Sequence, residues 1–431
     1  MIMKTKKLHF TKTRLRLFAL LCGVLIGAFF WIYLSLVSIG ITFFWVALPA
    51  WVKSHLYTLC LCLIGGVIVG GMHLRFGNYP ETMDEAFRRL SIQDKSLPNT
   101  RVILNAFCAV VTIALGGSIG PEAGLVSSVI SVIFWSNDCL RYLNYVYASG
   151  DVSHRDIIKV LISRYPPPHR DSIQPVKRAV GLWLIVAAGG FITYFGLCFI
   201  IGGGFDLDPM PAASVAWRDI AAIPLLLVVG YFAGRFYVWV RGRCRLFFAG
   251  MKVRRRYILC GLIGGLGLGI LGTAFPLILC SGESLMAHVA ENYMNYIPFA
   301  LVAVGIIKLF TINLCIESGW KGGFFFPLIF AGIALGSGIA ALLHLDPVFC
   351  SAIVCGTLIT QAVRLPIVMT ILLLVCFPFT MLPALLFSCV VGILLPVPGS
   401  RTTLRERIDR ELKLFKIDCW KSKENMELLK W

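Results

Sequence analysis

Apolar runs recur along the chain up to about residue 395, and their lengths set the first expectations. The run from about Leu17 to Val52 is too long for a secretory signal core and has no clear small-residue cleavage site, so it predicts a retained helix. Further runs lie near 56–75, 101–116, 123–136, 178–203, 219–240, 257–280, 296–316, 324–344, 349–361 and 366–395. A full membrane span needs ~20 apolar residues, and several of these runs fall short. Short pieces broken by Gly and Pro predict helices that enter a bilayer and stop part-way, with ends buried in protein or facing a water-filled cavity. The one long polar interruption is 137–177, with Asp151, His154, Arg155, Arg164, Pro166 to Pro168, Arg170 and Asp171. After Ser400, Thr403 to Glu406 has a capping-box pattern. Leu404, Ile408, Leu412 and Phe415 follow at helical spacing, predicting a last helix that leaves the membrane.

Composition turns this pattern into a class. Hydrophobic residues make up 58% and charged residues 14% of the 431, with mean hydropathy +0.82. Soluble domains carry about 25% charged residues, so an integral membrane protein with many spans is expected and ordinary solubility is excluded. The net charge of +18 clusters in the N-terminal tail, in Arg235 to Arg256, and after Ser400. Such clusters mark cytoplasmic segments, and no nucleic-acid partner is expected. Most of the fifteen cysteines sit inside apolar runs, with no C-x-x-C pair and no accompanying His cluster. They read as packing residues, so neither a metal nor a cofactor is expected.

Two Gly-rich segments carry the candidate chemistry: Gly116 to Gly124 (GGSIGPEAG) and Gly319 to Pro327 (GWKGGFFFP). A weaker third is Phe76 to Pro80 (FGNYP). A Gly-rich loop that feeds a helix start leaves backbone N–H groups free, and the helix dipole adds partial positive charge there. Such ends favour anions, and glycine lets the backbone come close to one. One such end in each half of the chain suggests broken helices meeting at a midplane site. Lys308, Glu317 and Lys321 are ionisable residues in or beside apolar helices, where function is the first suspicion. Glu317 and Lys321, four apart, could also simply pair at a helix end. His344, just before Asp346-Pro347, reads as a boundary residue.

These motifs, in this order, resemble those of the CLC chloride channels and chloride/proton antiporters. That family has three anion-site motifs, G-S-G-I-P, G-[KR]-E-G-P and G-x-F-x-P. Gly323-Phe324-Phe325-Phe326-Pro327 matches the third in full. Gly117-Ser118-Ile119-Gly120-Pro121 matches the second at both glycines and the proline. Phe76 to Pro80 stands where the first should be and keeps its proline. The Ser281-Gly282-Glu283 turn and Arg364-Leu365-Pro366 also fit, and the likeness covers roughly 17–415. The resemblance implies an all-α polytopic fold of two inverted repeats with re-entrant helices around a midplane anion site. It implies a basic tail at 1–16, repeats over 17–205 and 206–400, and a final helix and tail over 401–431. It further implies that the N–H groups of Phe324 and Phe325, after Gly323, hold a central anion. Those of Gly117, Ile119 and Gly120 would help form an outer site, with Ser118 able to add a hydroxyl donor or to satisfy a local backbone group.

Departures from the pattern are equally informative. The family's gating glutamate falls at Ile119, which cannot ionise. Glu122, three residues on, is either an ordinary first-turn carboxylate or a displaced gate. The central serine falls at Gly77, where Asn78 could offer an amide instead. The central tyrosine falls near Ser400, and no tyrosine follows Tyr296. The internal proton-transfer glutamate belongs near 137–177, a stretch without any Glu. The expectation is a CLC-type passive anion channel or uncoupled transporter, not an enzyme, with chloride as the default ion and no cofactor beyond a bound halide. The resemblance implies a homodimer in the lipid bilayer of a cell (inner or plasma) membrane, both termini cytoplasmic. The alternatives are a proton-coupled antiporter using Glu122, or a non-transporting scaffold, which would have little physical reason to keep Gly323 to Pro327.

Overall fold

The computed structural model describes residues 2–54, 56–77, 79–82, 85, 100–128, 131, 179–204, 207–251 and 256–396. Asn78, Ser400, the whole of 137–177 and the expected final helix lie outside these described residues. Among the described residues the regular structure is helical, and the one β-like contact is a bridge between Gly120 and Gly323. The chain divides into two compact units.

The first unit comprises Met1–Gly40, Pro80–Val111 and Ala123–Phe205. Its main elements are α1 (Ile2–Thr42) and α6 (Ala179–Ile201). Glycines let these helices touch: a Cβ on Gly23 would strike the Val186 carbonyl, and one on Gly27 the Gly190 carbonyl. The Trp31 indole donates to Gly202 O at 2.9 Å, and Gly204 N–H donates to Ser35 Oγ at 3.0 Å.

The second unit comprises Ile41–Tyr79, Thr112–Glu122 and the chain from Asp206 on. A π-turn over Phe43–Ala47 leads into α2 (Leu48–Val52), followed by α3 (Tyr57–Phe76). The end of α4 (Thr100–Ala114) and the start of α5 (122–128) bracket the first Gly-rich segment. Then come α7 (Trp217–Ala221), α8 (Ile223–Ala249), α9 (Arg256–Ala274), α10 (Met286–Glu291), α11 (Pro298–Ser318) and α12 (Phe325–Leu343). Finally, α13 (Pro347–Val363), α14 (Pro366–Leu373) and α15 (Leu382–Leu394) complete it. The apolar run at 366–395 is thus two helices, because Pro378 adopts an extended conformation between them. The buried core is α12, packed against α11 and α13, and residues Pro327 to Ala341 are all buried. Helices α3 and α9 cross in near backbone contact, since a Cβ on Gly66 would lie 2.5 Å from Gly261 O and one on Gly70 2.5 Å from Ile258 Cα. Asp346 caps α13 by accepting from Phe349 N–H at 2.7 Å, and His344 ends α12 in the left-handed region, a boundary residue.

Among the described residues, seven helices are long and apolar enough to cross a membrane. Many of their large side chains, such as Phe199, Phe232 and Ile306, are exposed. Exposed apolar side chains on helices of this length are what a lipid solvent selects. The chain is a multi-pass helical membrane protein.

Candidate anion site

The second Gly-rich segment is a break between α11 and α12. Helix α11 stops at Ser318 because Gly319 takes φ +101°, a left-handed conformation that glycine adopts without strain. The next residue anchors the loop. Trp320 is fully buried, donates from Nε1 to Gly261 O at 3.0 Å, and fills the space left by Gly65 and Gly264. Helix α12 then begins at Phe325. The first N–H groups of any helix have no partner within it. Here Pro327 has none to offer, and Leu328 N–H already reaches Phe324 O at 3.0 Å. Two donors remain at the start of α12, the N–H groups of Phe325 and Phe326.

The first segment is a break of another kind. Gly116 takes φ +99°, donates to Ile113 O at 2.9 Å, and is followed by Gly117 N–H to Thr112 O at 3.2 Å. This paired closure satisfies the carbonyls at the end of α4. Ile119 N–H donates to Gly117 O at 2.8 Å. Gly120 and Gly323 exchange both of their N–H···O bonds, each at 2.8 Å, which ties the two breaks together. The N–H groups of Gly117, Ile119 and Gly120, which the resemblance assigns to an outer anion site, are therefore already bonded to carbonyls.

What stands on the two remaining donors is Glu122. Its Oε1 accepts from Phe325 N–H at 2.5 Å and from Phe326 N–H at 3.3 Å. Oε2 is buried with no hydrogen-bond partner. A Cβ on either Gly120 or Gly323 would overlap this carboxylate, so both glycines are required by its position. Glu122 is thus more than a first-turn residue of its own helix. It is the acid group at the N-terminus of α12, where dipole and free N–H groups favour an anion.

The remaining sequence candidates fall around this point. Ile119 is fully buried, and its side chain fills the space beside Gly117 and Gly322. Ser118 accepts from Thr311 Oγ1 at 3.0 Å. Phe324 caps α12, and its ring lies 6.4 Å from that of Tyr237, an aromatic from mid-α8 that no motif pointed to. Gly77 ends α3 with φ +87° and is exposed. Lys308 is fully buried. Its Nζ donates to the carbonyls of Ile278 (2.9 Å), Leu279 (3.4 Å) and Cys280 (2.6 Å) and lies 5.2 Å from the Phe330 ring. Cys280 N–H in turn donates to Gly116 O at 3.3 Å, so Lys308 braces the first break. Glu317 lies in the last turn of α11, and Lys321 lies in the loop beyond Gly319. Among the described residues, no cluster of His, Cys, Asp and Glu is suited to a metal ion.

YfeO ion-transport proteins from Escherichia coli O7:K1 (31% identity) and Shigella flexneri (32%) match over 155 residues, 36% of this chain. The matched part spans 35% of the length of these relatives. Two solved structures share the fold at 17% identity. A CLC-type fluoride/proton antiporter covers 92% of this chain and 98% of its own, with TM-score 0.61. A slow cyanobacterial Cl⁻/H⁺ antiporter covers 93% and 98%, with TM-score 0.67. The voltage gated chloride channel family matches residues 176–396, just over half of the 431. The chain belongs to that family and has the CLC fold.

Proposed function

We propose that the protein moves small inorganic anions, chloride by default, across the membrane past the N-terminus of α12, and that Glu122 is the plug that competes with them there. The observation that carries this reading is Glu122 Oε1 on the N–H groups of Phe325 and Phe326. Halide and carboxylate are held by the same donors, so one must leave before the other binds. The plug is held by one edge only, because Oε2 has no partner, and an unsatisfied buried oxygen costs about 1–3 kcal/mol. Protonation removes the charge that the helix end attracts, and so releases the carboxylate. Proton binding and anion entry are then linked at one helix end, so the two fluxes are coupled. The two similar structures are of antiporters, which supports that mode. A second reading, uncoupled transport, is favoured by Ile119 at the gating position and by the absence of Glu from 137–177. In either mode, the family resemblance supports a homodimer in the plasma membrane with one pathway per subunit.

The test is paired chloride and proton flux from purified protein in liposomes, with a potassium ionophore clamping the voltage. Wild type should move protons against chloride, and Glu122→Gln should keep chloride flux while losing proton movement. Chloride flux without proton movement in wild type would select the uncoupled reading. Unchanged fluxes of both ions in Glu122→Gln would remove the plug altogether.

A further inference from the structure

Pro49 creates a feature that none of the Gly-rich motifs contains. In a regular helix its ring would clash with the carbonyl of Trp45, four residues earlier, and it has no N–H to offer. The chain widens into the π-turn over Phe43–Ala47, where Leu48 N–H reaches back to Phe43 O. A turn of this kind carries one residue more than an α-turn, so the side chains on it are re-aimed. Phe44 O loses the Leu48 donor that a regular helix would supply, and the Tyr57 hydroxyl donates to it instead at 2.5 Å. The Tyr57 ring meets Trp45 edge to face, with 6.4 Å between centroids and 82° between planes.

Trp45 is aimed at the first break. Its Nε1–H donates at 3.0 Å to Ala114 O, the last carbonyl of α4, which has no partner within its own helix. The indole also lies against Gly116, where a Cβ would overlap it. Gly116 O is held separately by Cys280 N–H at 3.3 Å. Glu122 stands six residues further on. Between them, Gly120 exchanges two bonds with Gly323, and Glu122 then reaches the N–H groups of Phe325 and Phe326.

We propose that Trp45 is a positioning residue for the anion site: its indole fixes the root of the segment Gly116 to Glu122, and so sets how firmly Glu122 closes the start of α12 against an anion. The inference rests on the reading of Glu122 as the plug. Trp45 acts through the backbone of the first break rather than on the donors of α12. A hydrogen bond weakens steeply as its angle departs from linear. The carboxylate must arrive at the two N–H groups in one orientation, dictated by the backbone that carries it. A monatomic anion has no orientation and settles between the same donors freely. Loosening the root therefore weakens the plug and leaves the anion's own contacts intact.

The test is a calorimetric titration of chloride into the full chain in detergent, for wild type, Trp45→Phe, Glu122→Ala and the double variant. Trp45→Phe keeps a ring against Gly116 and removes the N–H. It should bind chloride about two- to tenfold more tightly than wild type, the range that the net worth of one hydrogen bond spans. Glu122→Ala should bind more tightly still, and adding Trp45→Phe to it should change nothing further. Leu268→Ala, which removes a fully buried side chain of α9, should lower the unfolding temperature and keep the wild-type affinity. A merely structural tryptophan would behave like that control. Wild-type affinity in Trp45→Phe beside tighter binding in Glu122→Ala would overturn the positioning role and leave the plug standing. An equal gain from Trp45→Phe with and without Glu122 would also overturn it, since the indole would then act by another path. Unchanged affinity in Glu122→Ala would remove the plug, and this inference with it. Should Trp45→Phe not fold, Tyr57→Phe frees Phe44 O and unsettles the same π-turn more gently. A smaller gain in affinity that vanishes beside Glu122→Ala is expected there, and no gain would overturn the proposal.

Discussion

The two Gly-rich breaks of the second unit start from similar residues and end with opposite roles. At Gly116 to Gly120, backbone N–H groups close on nearby carbonyls, Ile119 fills the interior, and Lys308 braces the loop through Cys280. At Gly319 to Phe326, the loop is pinned by Trp320, and two N–H groups of α12 are left for something from outside their own helix. The first break has become scaffold that delivers a carboxylate; the second has stayed a receptor for negative charge. Chemistry that relies on backbone donors survives side-chain drift as long as the helix start itself is kept. The Gly323 to Pro327 segment keeps that helix start, while Ile119 offers no ionisable group.

If the first break is scaffold, its largest response to mutation is in stability. Ile119→Ala removes a fully buried side chain packed beside Gly117 and Gly322. The expected loss is about 2–4 kcal/mol, read as a lower unfolding temperature of the detergent-solubilised protein. Flux per folded molecule and proton coupling should follow wild type. A change in coupling at unchanged stability would show that the first break still takes part in transport.

This division of labour was partly legible in the sequence. The multi-pass class and the Gly-marked helix breaks follow from apolar run length and from the Gly and Pro positions, whereas the 366–395 run read as one segment and is two helices. Glu122 was left with two roles because spacing along one helix does not tell which other helix its side chain meets. Its partners, Phe325 and Phe326, are about two hundred residues away in sequence. The N–H groups of Gly117, Ile119 and Gly120 looked available for the same reason, since the return bond from Gly323 is a tertiary contact. Lys308 was visible as a lone cation in an apolar helix, but its three carbonyl partners lie at the end of the short 3₁₀ turn Pro276–Ile278 and just beyond it. Tyr237 gave no motif signal at all, being one aromatic among many.

The second break should respond in ligand binding. Glu122→Ala exposes the N–H groups of Phe325 and Phe326, and loss of an N-terminal acceptor costs about 1 kcal/mol. Chloride should restore it, because a ligand that binds only the folded state stabilises by about 2.7 kcal/mol at a hundred times its Kd. Unfolding temperature measured across a chloride titration should therefore rise in Glu122→Ala and stay nearly flat in wild type, whose own carboxylate occupies the donors. Parallel curves for the two proteins would mean that chloride does not use this helix end.

The smallest effect is expected where the breaks come nearest to sharing a role. Ser118 could in principle offer its hydroxyl to an anion, but it is fully buried and accepts from Thr311 Oγ1, one turn after Lys308. Thr311 also contacts Lys308 O at 3.1 Å, so the pair keeps an internal partner when Ser118 is shortened. Ser118→Ala should then cost no more than about 0.5–1.5 kcal/mol, the net worth of one hydrogen bond, with the chloride dependence of flux unchanged. A clear weakening of chloride affinity at unaltered stability would place the Ser118 hydroxyl on the ion. The first break would then belong to the binding site, and its bonded backbone would be one state of a loop that opens to receive the anion.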